Sequence, residues 1–280
     1  MNKEVSTPNR YAVVGNPVSH SLSPRIHQAF ARQARIDLSY EAIELPEAGF
    51  AKGIENLQSQ EFKGLNVTVP FKQQAWLLCD RKSPRANDAR AVNTLILLSD
   101  GTIAGDNTDG VGLTRDLVNN HRALIKRRKV LVLGAGGAVR GVLPSLLALS
   151  PENLTVANRT LEKAEQLAKD FQNIGEVTSC AYDGLGREKF DLIINGTSAG
   201  LTHEIPPVPD TVLGVNSICY DMMYNITGNT AFVDWAINRG ASSSIDGLGM
   251  LVEQAAESFF IWHGVPVDTA EVIASLRGQK

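Results

Sequence analysis

Three short runs hold side chains with chemical potential. Asn66-Val67-Thr68-Val69-Pro70-Phe71-Lys72 and Gly105-Asp106-Asn107-Thr108-Asp109-Gly110 each read as a strand end followed by a turn. Each turn offers one ionisable side chain, Lys72 in the first and Asp109 in the second. Strand ends that present an ammonium and a carboxylate are where polar chemistry is mounted. The third run, Val130-Leu131-Val132-Leu133-Gly134-Ala135-Gly136-Gly137-Ala138, is an apolar strand that breaks into glycines where a helix begins. A dinucleotide fingerprint needs that context: Gly134 permits the tight turn, Gly136 lets backbone approach a pyrophosphate, and the helix N-terminus faces its charge. Val139 stands at the third fingerprint position, where Gly or Ala is usual.

The next strand decides which dinucleotide. NAD-binding chains place an acidic residue about 20 residues further on, for the ribose hydroxyls. Here the strand ends in Asn158-Arg159-Thr160, and Lys163 follows about one helical turn later. Two cations and no carboxylate suit a 2′-phosphate, and the planar Arg159 guanidinium can stack on adenine. The expected cofactor is therefore NADP(H). Hydride transfer to a ketone leaves negative charge on its oxygen, which must gain a proton. Lys72 is the candidate acid/base group, and Asp109 the partner that orients it.

The elements that must position these groups follow from pattern. Tyr11–Val14 reads as a buried strand closed by Gly15-Asn16-Pro17. Ser23-Pro24 opens a helix, with Ser23 as N-cap and Ile26, Phe30 and Ala34 at helical spacing; His27 is expected at its surface. Strand patterns recur at Ser39–Leu45, Gly64–Val69 and Val92–Leu98, with helices around Phe50–Leu57 and Phe71–Cys79 between them. Ser99-Asp100-Gly101 marks a hairpin tip. A helix over Asp109–Asn119 leads to strands at Val130–Leu133, Leu154–Ala157, Val177–Ala181, Leu192–Asn195, Ile218–Asp221 and Ser243–Ile245. The glycine-loop helix runs through Leu149, with Pro144 expected to kink it, and another covers Leu161–Phe171. This βαβ order predicts a parallel sheet. Helices Leu248–His263 and Thr269–Leu276 end the chain, placed to pack back on the first unit.

Bulk properties exclude several classes. With 280 residues, 43% hydrophobic, 20% charged and net charge −3, the chain reads as a soluble α/β protein of one large or two modest domains. Nothing global attracts nucleic acid or membrane lipid, and the basic tract Lys126–Lys129 reads as a solvated turn before a strand. No apolar run approaches the ~20 residues of a membrane span. Three scattered cysteines outside any metal spacing predict small apolar core residues, no metal and a cytoplasmic setting.

Taken in order, these runs resemble the shikimate dehydrogenase family over almost the whole chain. Gly15-Asn16-Pro17-Val18-Ser19-His20-Ser21-Leu22-Ser23-Pro24 is similar to its G-N-P-x-x-H-S-x-S-P signature, which implies Ser21 and Ser23 for the substrate carboxylate. The N-V-T-V-P-F-K run is intact and implies substrate contacts for Asn66 and Thr68, with Lys72 catalytic. Ala91-Val92-Asn93-Thr94 implies Asn93 for a substrate hydroxyl, and G-D-N-T-D-G implies Asp109 as partner of Lys72. Tyr220-Asp221-Met222 and Tyr224 resemble Y-D-M-x-Y, with Met222 near the nicotinamide and Tyr224 near the substrate. The run from Asp246 to Ala256 resembles D-G-x-G-M-L-V-x-Q-A-A; it implies Gln254 for substrate, and Gly247 and Met250 for cofactor. The loop Gly134, Ala135, Gly136, Gly137 and Ala138, the run Asn158, Arg159 and Thr160 with Lys163, and Asp80 complete the implied cofactor set.

The resemblance implies two domains: a catalytic α/β domain of residues 1–109 completed by 247–280, and a Rossmann NADP-binding domain over 110–246. The implied activity is NADP-dependent interconversion of 3-dehydroshikimate and shikimate in aromatic amino-acid biosynthesis, by a monomer or homodimer. Alternatives are a quinate/shikimate dehydrogenase of broader specificity and a non-catalytic NADPH-binding sensor. Arg90, Val139 and Ala231 depart from the family pattern, away from the implied catalytic groups.

Overall fold

A computed structural model describes residues 8–197 and 204–278. They pack as two units. The first runs through Thr108 and adds Ala255–Val272; the second holds Asp109–Gln254 and the stretch from Ile273 onward.

In the first unit the chain order is β1 (Asn9–Gly15), α1 (Ser23–Ala34), β2 (Leu38–Glu44), α2 (Phe50–Ser59), β3 (Phe62–Val67), α3 (Lys72–Leu78), β4 (Arg81–Lys82), α4 (Pro84–Ala89), β5 (Thr94–Leu97) and β6 (Ile103–Asp106). They form one mixed sheet of order β2-β1-β3-β5-β6-β4. β1 lies parallel to β2 and β3, whereas β5 is antiparallel to both β3 and β6. The hairpin tip falls between β5 and β6, with Gly101 at φ +88°. This topology brings Gly15, Val67, Thr94 and Asp106 to one edge of the sheet: three of these residues end strands and Thr94 begins one. Ala12, Val14, Leu65, Val67, Phe50, Ile54 and Phe71 form a core between the sheet and its helices.

The second unit follows α5 (Asp109–Arg115) with β7 (Lys129–Leu133), α6 (Gly137–Ala148), β8 (Asn153–Ala157), α7 (Leu161–Phe171), β9 (Thr178–Cys180), β10 (Phe190–Asn195), β11 (Leu213–Asp221), α8 (Ala231–Asn238) and β12 (Ser243–Ile245). All its strands are parallel, in the order β12-β11-β10-β7-β8-β9. Numbered from β7, that is the doubly wound order 3-2-1-4-5-6 of dinucleotide-binding sheets. Val130 and Val132 enter one core while Leu131 and Leu133 enter another, so β7 is buried on both faces, as its unbroken apolar run predicts. α6 continues through Pro144.

The last helices, α9 (Leu248–His263) and α10 (Thr269–Arg277), are divided between the units rather than belonging wholly to the first. The reason is local. Gly112 packs on Gln254, Gly249 lies against Asp116, and Arg277 pairs with Asp246. Further along α9, Trp262 Nε1–H donates to Leu95 O at 3.0 Å and Glu257 meets Arg85 at 2.9 Å.

Three local expectations are corrected. Ser23 is the first helical residue of α1 rather than its cap; Leu22 holds the cap position, and Ser21 Oγ accepts the Ser23 N–H at 3.2 Å. The helix expected to reach Asn119 leaves α-geometry at Arg115 and continues as a π-type turn over Asp116–Asn120. There the buried Asp116 carboxylate accepts Tyr220 OH at 2.7 Å and the Asn120 amide at 2.8 Å. His27 is not at the surface: it is fully buried among Phe30, Tyr40, Phe259 and Trp262, stacked on Tyr40 at 4.2 Å and 6°.

Cys79 and Cys219 are buried and Cys180 half-buried, all as free thiols. Burial pushes the Cys79 thiol up to about 12, with Lys82 opposing, and the Cys219 thiol likewise up to about 12. Among the described residues no helix is long and apolar enough to cross a membrane.

Candidate active site

The first unit gathers most of the expected substrate residues at its shared strand edge. The turn after β1 and the turn after β3 are tied together, Asn16 N–H donating to Val69 O at 3.0 Å and Thr68 N–H to Val14 O at 2.9 Å. Ser21 and Ser23 lie side by side, their Oγ atoms 3.2 Å apart. Asn66, at the end of β3, is buried and fully engaged. Its Oδ1 accepts Tyr40 OH at 2.6 Å, and its Nδ2 lies within 3.2 Å of Asn93 O, 3.3 Å of Thr94 Oγ1 and 3.0 Å of Ser258 Oγ. Asn93 closes the group: its Nδ2 donates to Thr108 Oγ1 at 2.8 Å and its Oδ1 accepts the Thr108 N–H at 2.9 Å. Thr68 is half-buried beside them.

Lys72 is the first residue of α3, half-buried, with its carbonyl accepting Val92 N–H at 2.9 Å. Asp109 opens α5 and is 4% exposed. By packing, Lys72 belongs to the first unit and Asp109 begins the second, immediately after Thr108. Tyr224 and Gln254 also fall in the second unit, both half-buried, with Gln254 Nε2 donating to Leu251 O at 2.8 Å.

The run that leads to Asp109 is held by ions. Arg85 forks onto Asp106, Nε to Oδ1 at 2.6 Å and Nη2 to Oδ2 at 2.8 Å, and reaches Glu257 on α9 with Nη1 at 2.9 Å. Ser83 OH and Asn107 N–H also donate to Asp106 Oδ1. Burial alone would raise the Asp106 carboxyl; the hydrogen bonds from Arg85 and Ser83 and the Arg85 charge outweigh it and hold it below the ordinary range.

In the second unit the expected cofactor residues line the carboxyl ends of the parallel strands. Gly134 follows β7 at φ +102°, a left-handed conformation that glycine adopts without strain, and its N–H donates to Ala157 O at 2.8 Å. A Cβ added at Gly136 or Gly137 would meet nothing within 4 Å, so these two glycines present bare backbone at the start of α6, flanked by Ala135, which packs on the core, and Ala138. That open, amide-rich loop fits an anionic group. Asn158 follows β8, its Nδ2 donating to Thr160 O at 2.8 Å, and Arg159, Thr160 and Lys163 are exposed at the start of α7. Met222 follows β11 with its N–H on Asn195 O at 2.8 Å, and Gly247 follows β12 so closely that any side chain there would strike the Met222 carbonyl. Met250 is in the core of this unit. Asp80 belongs to the first unit, where its Oδ2 accepts Ile103 N–H at 2.8 Å.

Several positions escaped the sequence reading. Tyr40, Ser258 and Arg85 carry no motif, although Ser258 lies one turn beyond Gln254 on α9. Asp221 lies in a recognised run without an assigned role. It is fully buried, which holds its carboxyl above the ordinary range, and it accepts Thr230 OH at 2.6 Å, Asn195 Nδ2 at 3.0 Å and Met223 N–H at 3.1 Å. It thereby shapes the turn that carries Met222.

The doubly wound sheet with a bare glycine loop, joined in one chain to a second α/β unit with polar residues at its strand edge, defines a protein of the nicotinamide-dependent oxidoreductase class. Comparison with known proteins makes this specific. Residues 13–95 match the shikimate dehydrogenase substrate binding domain, residues 116–203 the shikimate / quinate 5-dehydrogenase family, and residues 247–277 the shikimate 5′-dehydrogenase C-terminal domain. Shikimate dehydrogenase (NADP(+)) of Alkalilimnicola ehrlichii is 53% identical over 269 residues, covering 96% of this chain and 98% of the relative. Among solved structures, an Ael1 enzyme from Pseudomonas putida superposes with TM-score 0.88 at 43% identity, covering 96% of this chain and 98% of that one. Shikimate 5-dehydrogenase from Thermus thermophilus, solved with NADP(H) and shikimate, gives TM-score 0.83 at 31% identity, covering 96% and 98%. The chain belongs to the shikimate dehydrogenase family.

Proposed function

We propose that this protein is an NADP-dependent dehydrogenase that interconverts 3-dehydroshikimate and shikimate, with most substrate contacts from the first unit and most cofactor contacts from the second. The observation that carries the reading is the convergence of four separate runs, those that hold Gly15, Val67, Thr94 and Asp106, at one end of the strands of the first sheet. Ser21 and Ser23 present adjacent hydroxyls suited to a carboxylate. Asn66, Thr68 and Asn93 offer hydrogen-bonding groups suited to ring hydroxyls. Tyr224 and Gln254 supply further substrate contacts.

NADPH, when bound, supplies the hydride. Gly134–Ala138 would hold its pyrophosphate, Asn158, Arg159, Thr160 and Lys163 its 2′-phosphate end, and Met222, Gly247 and Met250 its nicotinamide side, with Asp80 as a further contact. Lys72 delivers the proton that the C3 oxygen must gain, and in the reverse direction takes it back; Asp109 orients the ammonium. A positioned acid of this kind is worth about 10²- to 10⁴-fold.

The test is the initial rate of NADPH formation from shikimate and NADP, beside quinate and NAD in matched reactions, for the parent chain and Lys72→Ala. The expected result is a rate confined largely to shikimate with NADP and a fall of kcat in Lys72→Ala. Comparable quinate or NAD rates would indicate the broader-specificity branch. NADPH binding without turnover would point to a sensor. Full turnover in Lys72→Ala with an unchanged pH profile would remove Lys72 from the chemistry.

A further inference from the structure

Tyr40 lies on β2, outside every recognised run, yet it touches one of the groups assigned above to substrate. Its phenol is 6% exposed and its ring is clamped face to face on the buried His27 ring. The hydroxyl is 2.6 Å from Asn66 Oδ1. The polarity of that bond is fixed from the other side of the amide. Asn66 Nδ2 lies 3.2 Å from Asn93 O, and a backbone carbonyl can only accept. The NH2 group must therefore face Asn93, Oδ1 must face Tyr40, and the phenol must be the donor. With its proton committed to Asn66, the Tyr40 oxygen is the donor of a short, buried bond. On the far side, Ser258 Oγ accepts from Asn66 Nδ2 at 3.0 Å and lies 2.8 Å from Thr94 Oγ1.

We propose that Tyr40 is a positioning residue for substrate recognition, fixing the orientation of the Asn66 amide. This rests on the assignment of Asn66 to substrate. Without the phenol O–H, Asn66 Oδ1 loses its donor, and turning the amide over would set its oxygen against the Asn93 carbonyl. Either state presents the wrong group to the ligand.

The test is steady-state kinetics of the full chain with saturating NADP and varied shikimate, for Tyr40→Phe, Asn66→Ala, Ser23→Ala and the double variant Tyr40→Phe/Asn66→Ala. Phenylalanine keeps the ring stack, and far-UV circular dichroism with thermal unfolding checks that each variant is folded. Tyr40→Phe is expected to raise KM for shikimate about 10-fold, the scale of one buried hydrogen bond, with kcat and the KM for NADP changed less than twofold. Because Tyr40 acts through Asn66, the double variant should match Asn66→Ala alone. An unchanged KM in Tyr40→Phe, beside a raised KM in Asn66→Ala, overturns the proposal. So does full additivity in the double variant, which is the mark of general destabilisation. If Asn66→Ala leaves KM unchanged, whatever Ser23→Ala does, the assignment of Asn66 to substrate fails, and the proposal fails with it for that separate reason.

Discussion

Replacing His27 with phenylalanine should make the folded protein less sensitive to acid. His27 is fully buried, and neither ring nitrogen reaches a hydrogen-bond partner among the described residues. Burial lowers its pKa from 6.5 to about 3, with nearby Asn66 opposing the shift and His263 adding to it. The unfolded chain therefore takes up a proton below about pH 6.5 that the folded chain refuses until about pH 3. In that window the unfolded state binds more protons, so stability rises with pH and is lost as pH falls. At ~1.4 kcal/mol per pH unit, the drop from pH 7 to pH 4.5 costs about 2.5–3 kcal/mol through this one group. His263, also shifted downward by burial, acts in the same direction and is retained in the variant. Urea unfolding at both pH values, followed by tryptophan fluorescence, gives the difference directly, since Trp262 lies 5.4 Å from His27. The parent should lose about 2.5–3 kcal/mol more than His27→Phe between the two pH values. Equal losses would mean that the His27 ring takes up its proton inside the folded core, and the reasoning from burial would be refuted.

Three further outcomes are expected. Arg85→Met strands Asp106 and Glu257, whose side chains are 14% and 13% exposed, and should destabilise by roughly 2–3 kcal/mol with loss of turnover; a change under ~0.5 kcal/mol in urea unfolding would show that the network bears no weight. Arg90 closes α4 at φ +47°, a left-handed conformation that glycine adopts without strain, so Arg90→Gly should stabilise by up to about 1 kcal/mol, read as a higher Tm; an unchanged or lower Tm counts against strain there. Arg159→Ala should weaken NADP by about 10- to 100-fold, the scale of hydrogen bonds to a charged group, and NAD far less, through lost stacking on adenine alone; parallel losses for both cofactors would place Arg159 away from the 2′-phosphate.

Much of the fold is legible because it is local. The run Val130–Leu133 is apolar at every position, which only a strand covered on both faces requires, and the structure buries all of it. The residues gathered at the strand ends lie in runs that stand out in the sequence, although only the fold shows that Val67, Thr94 and Asp106 share one end of the sheet. What was not legible depends on partners far away in the chain. His27 looked polar and isolated, yet it falls between Phe30 and Ala31 on the helical wheel of α1, and both are buried. The missed clue was Ala31, one turn on, which widens the apolar stripe to include it. Asp116 breaks α5 into a π-type turn because Tyr220, more than a hundred residues away, hydrogen-bonds to its carboxylate. Arg85 reads as one surface cation among many until β6 and α9 bring Asp106 and Glu257 to it. α8 carries a start signal: Thr230 caps it by accepting Val233 N–H at 3.2 Å, and Ala231 takes the first helical position.

The buried thiols give each unit its own clock. Cys79 belongs to the core of the first unit and Cys219 to the core of the second. A thiol held near 12 has almost no thiolate at pH 8, and a buried one has no path to a reagent, so alkylation waits for the surrounding core to open. The labelling rates of the two peptides, read from one mass spectrum, therefore count the openings of the two units independently. A ligand that binds only one unit would slow one clock and leave the other running at its own pace.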